Sequence, residues 1–331
     1  MVLYAFRYSD GRLFILDQTK LPEKAQYMEI TGAAQTAEAI KSMRVRGAPA
    51  IGICAAYGLC AEARKNGGDR EKLIIAAQGL KGVRPTAKNL SWAVGRMLGA
   101  LDMPGSLIEN LEREAEAIRR EDEEANRKIG ENLLSLLPEN GAIMTYCNAG
   151  ALATSKYGTA LSPVYLGLER GRRFKVYACE TRPFLQGARI TAYELNAAGA
   201  DVIVICDNNA ANVLRHEKID AVITGCDRVA ANGDCVNKVG TFGLSVLAKE
   251  FGIPFYVAAP ASSIDMSAGC GGEIEIEMRG SEEMEFFCGR RIVPEGVKVL
   301  NPAFDMTPAE NITAIVTESG AVSPERLKSC V

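Results

Sequence analysis

The sequence predicts an α/β protein in two parts, a mostly helical N-terminal domain with a small β element and a C-terminal domain built on a mainly parallel sheet. Five short apolar runs, AIMTYC (142–147), KVYACE (175–180), DVIVICD (201–207), AVITGCD (221–227) and PFYVAAP (254–260), alternate with helix-length segments. Strands alternating with helices call for a parallel sheet covered on both faces. The hundred residues before the first run carry helical periodicity instead. At 331 residues the chain is long for one core, and two domains are expected.

The elements follow in order. YAFRYSDGRLFILD opens as a hairpin turning at Ser9-Asp10-Gly11. TAEAIKSM (36–43) and APAIGICAAYGLCAEARK (48–65) are helical by period and composition. LIENLEREAEAIRREDEEANRKIGENLLSLL (107–137) is one long amphipathic helix, with a break expected near Gly130. Its charged centre reads as a solvated face laced with i,i+4 pairs. Leu-Pro-Glu-Asn-Gly (137–141) then punctuates the chain, which places the domains at 1–138 and 139–331.

Composition excludes several classes. Hydrophobic content of 47% and charged content of 24% are those of an ordinary globular chain, and a net charge of −3 gives no bulk attraction to nucleic acid. No apolar run approaches the roughly 18–20 residues that span a bilayer, and the N-terminus lacks the order of a signal peptide. A cytoplasmic protein with no membrane or nucleic-acid partner is expected. None of the ten cysteines forms a C-x-x-C pair, so neither a disulfide scaffold nor a zinc cluster is expected. Cysteines inside apolar runs, such as Cys54, Cys179, Cys206 and Cys226, read as small buried hydrophobes. His216 is the only histidine, at what reads as an exposed helix end. A Ser-His-Asp triad and a histidine-based metal site are poor fits. Acid–base work falls to carboxylate, thiol or lysine, with no metal and no cofactor.

Open parallel sheets bind ligands outside the carboxyl ends of their strands. Cys147, Glu180, Asp207 and Asp227 all fall at such ends, and four segments could carry chemistry there or nearby. In MRVRGAPAIG (43–52), Arg46 and Gly47 precede Ala48-Pro49, a favourable helix start whose N–H groups beside a guanidinium suit an anion. In GVRPTAKNLSWA (82–93), Arg84-Pro85-Thr86 repeats that arrangement. TYCNAGALATSKYGTA (145–160) sets Cys147 before small and polar residues whose backbone can approach a ligand closely. VITGCDRVAANGDCVNKVGTFG (222–243) is the densest polar cluster and reads as a binding loop between a strand and a helix.

Together MRVRGAPAIG, RPTAKNL, YCNAGALAT, ETRPFLQGAR, GCDRVAANGD, NKVGTFG, PFYVAAP and NPAFDMTPAENITAIVTESG resemble the signatures of the methylthioribose-1-phosphate isomerase family. That family groups with the α/β/δ subunits of the translation initiation factor 2B complex and with ribose-1,5-bisphosphate isomerase. The resemblance runs from Leu16 to about Gly320. It implies a Rossmann-like C-terminal domain, a homodimer and a small-molecule sugar-phosphate substrate. By motif match it makes Cys147 and Asp227 the catalytic pair, and Arg46, Gly47, Ala48, Arg84, Gln186, Asn237 and Lys238 the substrate contacts. Gln186 would otherwise read as ordinary helix surface.

The implied reaction turns 5-methylthioribose 1-phosphate into the open 2-ketose 1-phosphate, a step of methionine salvage. Opening the ring needs an acid at the ring oxygen and a base, after which hydrogen moves from C2 to C1. A carboxyl group in an apolar pocket stays protonated near neutral pH, which would suit Asp227 as acid. Both an enediol route and a hydride shift fit these residues. The chain departs from the family pattern at Tyr146, where histidine is common, at Cys226 and Cys235, and in the loop 261–287. Isomerisation of 5-deoxyribose 1-phosphate is therefore a neighbouring expectation. The alternatives are ribose-1,5-bisphosphate isomerisation, which would need a second cationic patch, and a non-catalytic binding subunit of the initiation-factor kind.

Overall fold

A computed structural model describes residues 3–84 and 88–329 and divides the chain into two compact units. The first comprises 1–127 and 149–162, the second 128–148 and 163–331.

In the first unit, β1 (Phe6–Ser9), β2 (Arg12–Leu16) and β3 (Tyr27–Ile30) form an antiparallel sheet. Asp10 and Gly11 turn the expected hairpin with φ of 52° and 72°, as a tight two-residue turn requires. β3 is an addition to the expected hairpin. Helices α1 (Ala33–Lys41), α2 (Ala48–Lys65), α3 (Arg70–Lys81) and α4 (Lys88–Ala100) follow. α2 is buried nearly all round because Gly, Ala and Cys line it. At Gly52 a Cβ would meet the Asn89 carbonyl oxygen at 2.8 Å, so the first turns of α2 and α4 lie side by side.

Helix α5 (Leu107–Leu136) is continuous through Gly130, where a break was expected. Its i→i−4 bonds need no side chain, so glycine lowers propensity without ending the helix. α5 belongs to the first unit up to Arg127 and to the second from Lys128. Its charged face is more than solvated. Besides the expected Arg119–Glu123 and Arg120–Glu116 pairs, Glu112 takes Arg64 of α2 and Glu114 takes Arg96 of α4.

The second unit carries a seven-stranded sheet. In chain order come β4 (Gly141–Tyr146), α6 (Ser162–Glu169), β5 (Phe174–Cys179), α7 (Ala192–Ala197), β6 (Asp201–Ile205), α8 (Ala210–His216) and β7 (Ala221–Thr224). They continue as β8 (Arg228–Ala230), β9 (Cys235–Lys238), α9 (Thr241–Glu250), β10 (Phe255–Ala258) and β11 (Ile264–Asp265). A short helix α10 (Glu282–Glu285) and the ribbon β12 (Phe286–Phe287) and β13 (Arg290–Arg291) precede β14 (Phe304–Thr307), β15 (Ala314–Thr317) and β16 (Gly320–Val322). The large sheet has the order β16-β15-β10-β7-β4-β5-β6, parallel except for β16. All five expected strands are in it. Phe255, Val257, Val222 and Met144 build its core against Val213 and Leu214 of α8 and Leu244 and Ala248 of α9.

Chain direction across the sheet fixes where a site can form. From β4 the strands proceed outward through β5 and β6, and the chain then returns to place β7 and β10 on the other flank of β4. That reversal is the switch point at which open α/β sheets leave a crevice. Segment 222–243 differs from the expected plain loop. It folds into the β8–β9 hairpin of a second sheet, order β11-β8-β9-β14, which places Asn237 and Lys238 on a strand. Its polar residues hid the apolar Val229, Cys235 and Val236, all buried. His216 is exposed at the end of α8, as expected. Cys206 is exposed, not buried, because it follows the last paired residue of the edge strand β6.

Candidate active site

Cys147 leaves the carboxyl end of β4, and Asp227 lies three residues beyond the end of β7, the neighbouring strand on one side. Tyr146 pairs with Thr224, so the two expected catalytic residues flank the switch point. Cys147 is partly buried and has a φ of 67°, in the left-handed region that non-glycine residues seldom occupy. Its N–H donates to Thr181 Oγ1 at 2.9 Å, and its carbonyl accepts from Thr191 Oγ1 at 2.8 Å. Both threonines are fully buried.

The thiol meets Gln186. Nε2 donates to Sγ at 3.1 Å, while Oε1 is buried with no hydrogen-bond partner. Gln186 is 2% exposed, not the helix surface its sequence context suggests. It is carried inward because the backbone after β5 hugs the strand end: at Gly187 a Cβ would collide with the Cys179 carbonyl oxygen. Asn148 is buried and donates to Thr191 and Glu194.

Asp207 follows β6 and accepts from the backbone N–H groups of Thr181 and Arg182, each at 2.7 Å. Tyr146, one of the departures from the family pattern, packs so close to Gly240 that a Cβ there would collide with its hydroxyl. Burial, and then the Asp207 carboxylate, push the Tyr146 phenol well above its ordinary value. Thr181 and Thr191 were not singled out from sequence, and Asp207 was placed at a strand end without a role. Their signal was their place in ETRPFLQGARIT and at the end of the DVIVICD strand.

Asp227 is exposed, and its N–H donates to the Val236 carbonyl at 2.9 Å. It does not sit in the apolar surroundings expected for a carboxylic acid kept protonated by burial. The strand end projects it beyond the last covered residue of β7. Asn237 is buried and donates to Thr241 Oγ1 at 3.0 Å. The Lys238 ammonium lies 4.6 Å from the centre of the Phe304 ring. Asp305 accepts from the N–H groups of Gly240 and Phe242, at 2.6 and 3.1 Å, and fixes the start of α9. Burial pushes its carboxyl above the ordinary value, and these two N–H donors oppose the rise.

The first unit carries the other expected contacts. Arg46 and Gly47 lead into α2, whose start no side chain caps and whose second residue is Pro49. Gly47 has a φ of 92°, and a Cβ there would collide with the Ala153 carbonyl oxygen, so only glycine fits. The turn that presents Arg46 and Ala48 is thus packed on the segment 149–162. Gln18 donates to the Leu152 carbonyl at 2.8 Å, and Asp122 accepts the Ser155 N–H at 2.7 Å, which fixes that segment. Burial pushes the Asp122 carboxyl up to about 6. Arg84 ends the described part of the α3–α4 connection, and Asn89 in α4 abuts the start of α2. Pro85 and Thr86 lie outside the described residues. Among the described residues, no three His, Cys, Asp or Glu side chains group so as to hold a metal ion. No helix among them is long and apolar enough to cross a membrane.

The second unit thus sets a hydrogen-bonded thiol and a carboxylate after two adjacent strands, and the first carries a helix start next to an arginine. The model of the initiation factor 2 subunit family matches residues 44–324. The chain belongs to that family. It is 51% identical to methylthioribose-1-phosphate isomerase of Desulforudis audaxviator over 98% of this chain and 95% of that protein. It is 52% identical to 5-deoxyribose 1-phosphate isomerase of Clostridium botulinum over 97% of this chain and 96% of that one. The solved 5-methylthioribose 1-phosphate isomerase of Pyrococcus horikoshii superposes with a TM-score of 0.93 at 41% identity, over 99% of this chain and 95% of that one. A solved translation initiation factor eIF-2B subunit delta from A. fulgidus superposes at 0.91 and 43% identity, over 98% and 97%.

Proposed function

We propose that the protein is an aldose–ketose isomerase of 5-methylthioribose 1-phosphate, giving 5-methylthioribulose 1-phosphate, and that it also accepts 5-deoxyribose 1-phosphate. The observation that carries this reading is the built environment of Cys147. A binding subunit needs the fold, but it has no use for a strained cysteine whose thiol receives an amide N–H. Relatives at 51% and 52% identity bearing the two isomerase names support the two substrates.

In the proposed chemistry the C1–O4 bond of the furanose breaks as O4 takes a proton. Hydrogen then moves from C2 to C1, and a proton leaves as the C2 ketone forms. Atoms balance without a redox partner. Cys147 and Asp227 are the two proton carriers, and either route of hydrogen movement uses both. Because Asp227 is exposed, the desolvation that would hold its proton must come from the bound sugar itself. Gln186 Oε1, buried without a hydrogen-bond partner, is proposed to accept a sugar hydroxyl. Arg46, Arg84, the start of α2, Asn237 and Lys238 are proposed to hold the phosphate and the remaining hydroxyls.

The assembly is proposed to be a homodimer and its compartment the cytoplasm. The test is kcat/KM for methylthioribose 1-phosphate, 5-deoxyribose 1-phosphate and ribose 1,5-bisphosphate on one preparation. The first two should differ by no more than about 10–200-fold for each methylene-sized group by which they differ, the discrimination available in an apolar pocket. Preference for the bisphosphate, whose second dianion needs its own cations, would overturn the assignment.

A further inference from the structure

Both main-chain polar groups of Cys147 end on threonine side chains. The N–H meets the Thr181 hydroxyl and the carbonyl meets the Thr191 hydroxyl. Thr181 Oγ1 accepts that N–H at 2.9 Å and donates its own proton to the Cys179 carbonyl at 3.0 Å. One hydroxyl therefore links the end of β5 to the residue after β4. Thr181 itself has a φ of 65°. A β-branched residue in that region is a genuine outlier and persists only where its surroundings impose it. What imposes it here is Asp207, whose two carboxylate oxygens take the successive N–H groups of Thr181 and Arg182 at 2.7 Å each. Leu185, with a φ of 60°, continues the distorted stretch to Gln186, which donates to the thiol.

Cys147, Thr181 and Leu185, all left-handed, lie in two segments that hydrogen-bond to each other at Cys147. We propose that Asp207 and Thr181 are positioning residues for Cys147, with Asp207 holding Thr181 in its strained conformation so that the Thr181 hydroxyl fixes the thiol against Gln186. This deepens the isomerase reading and rests on Cys147 being a proton carrier in it. Neither residue needs to touch substrate. Their effect is on where the Cys147 side chain points, and a misplacement of about 1 Å can cost roughly 10²-fold in rate.

Thr181→Val keeps shape and branching but removes the hydroxyl, Thr181→Ser keeps the hydroxyl, and Asp207→Asn removes one of two acceptors. Steady-state kinetics with methylthioribose 1-phosphate are read beside the rate at which iodoacetamide alkylates Cys147 across pH, followed on the Cys147 peptide by mass spectrometry. Thr181→Val and Asp207→Asn should lower kcat by about 10-fold or more with KM little changed, and displace the alkylation profile. Thr181→Ser should restore both. Wild-type kcat and alkylation in Thr181→Val would overturn the proposal, as would equal losses in Thr181→Val and Thr181→Ser. If Thr181→Val fails to fold, wild-type values in Asp207→Asn overturn it instead. Cys147→Ser separates the two levels. Full activity in that variant removes the isomerase role of the thiol, whereas an inactive Cys147→Ser beside an unaffected Asp207→Asn removes only the positioning role.

Discussion

Gln186 Nε2 lies 3.1 Å from Cys147 Sγ, and the other end of the same amide, Oε1, is buried without a partner. A buried acceptor left unpaired costs roughly 1–3 kcal/mol. Substrate binding can recover that cost if a sugar hydroxyl reaches Oε1. Gln186 then links the thiol to the ligand, and its contribution depends on both contacts at once.

Gln186→Leu tests this link. It removes both the donor to Sγ and the waiting acceptor while keeping bulk. kcat/KM should fall by about 10–100-fold, the scale of one or two polar contacts at roughly 1.4 kcal/mol per tenfold. Activity within about twofold of wild type would mean that the amide faces neither thiol nor sugar productively.

The proposed proton carriers give a larger effect. Cys147→Ser and Asp227→Asn should each reduce kcat by on the order of 10²-fold or more, the usual scale for a positioned acid or base. Asp227 is exposed, so its variant should melt within a degree or two of wild type. Normal turnover in either variant takes that residue out of the chemistry.

Stability should fall with rising pH between about 4 and 6 because of Asp122. Burial raises its carboxyl from 3.8 to about 6. The folded state then holds a proton that the unfolded chain gives up, so the contribution is present below the unfolded value and lost as pH climbs through the folded one. The shift corresponds to at most about 3 kcal/mol. Asp122→Asn should flatten this part of the Tm-against-pH curve, and an unchanged slope would show that the carboxyl is ionised throughout.

Gly47→Ala should impair both unit and site. The added methyl would collide with Ala153 at a backbone φ of 92°. Backbone strain of this kind alone costs about 1–3 kcal/mol. A lower Tm and a raised KM for sugar phosphate are expected together, since the same turn presents Arg46 and Ala48. A wild-type Tm in the Gly47→Ala variant would contradict the contact.

Much of the fold was legible because its signals are local. The five runs that became β4, β5, β6, β7 and β10 each declare a strand by composition alone, but the cover expected on both faces fails at the sheet edge, where β6 leaves Ile203 and Val204 exposed. α2 begins at Ala48, where Gly47 and Pro49 mark its start. β8 and β9 were hidden because their polar residues, Arg228, Asn237 and Lys238, look like a loop until a partner strand buries Val229 and Val236. The continuity of α5 through Gly130 was not legible either, since one glycine weakens a helix without deciding its end.

By itself, the sequence determined the class of fold, the residues at strand ends and the motif that singles out Cys147, Asp227 and Gln186. It could do so because periodicity, turn chemistry and motif spacing are properties of neighbouring residues. Only the tertiary structure decided that β4 lies at the reversal of strand order, that Gln186 turns inward onto the thiol and that Asp207 holds Thr181. It also decided that Asp227 is exposed. Those hydrogen bonds join residues 26 to 39 positions apart, a separation that no local pattern encodes. They exist because the sheet brings its strand ends to one edge, where a backbone N–H must find whichever acceptor the fold supplies.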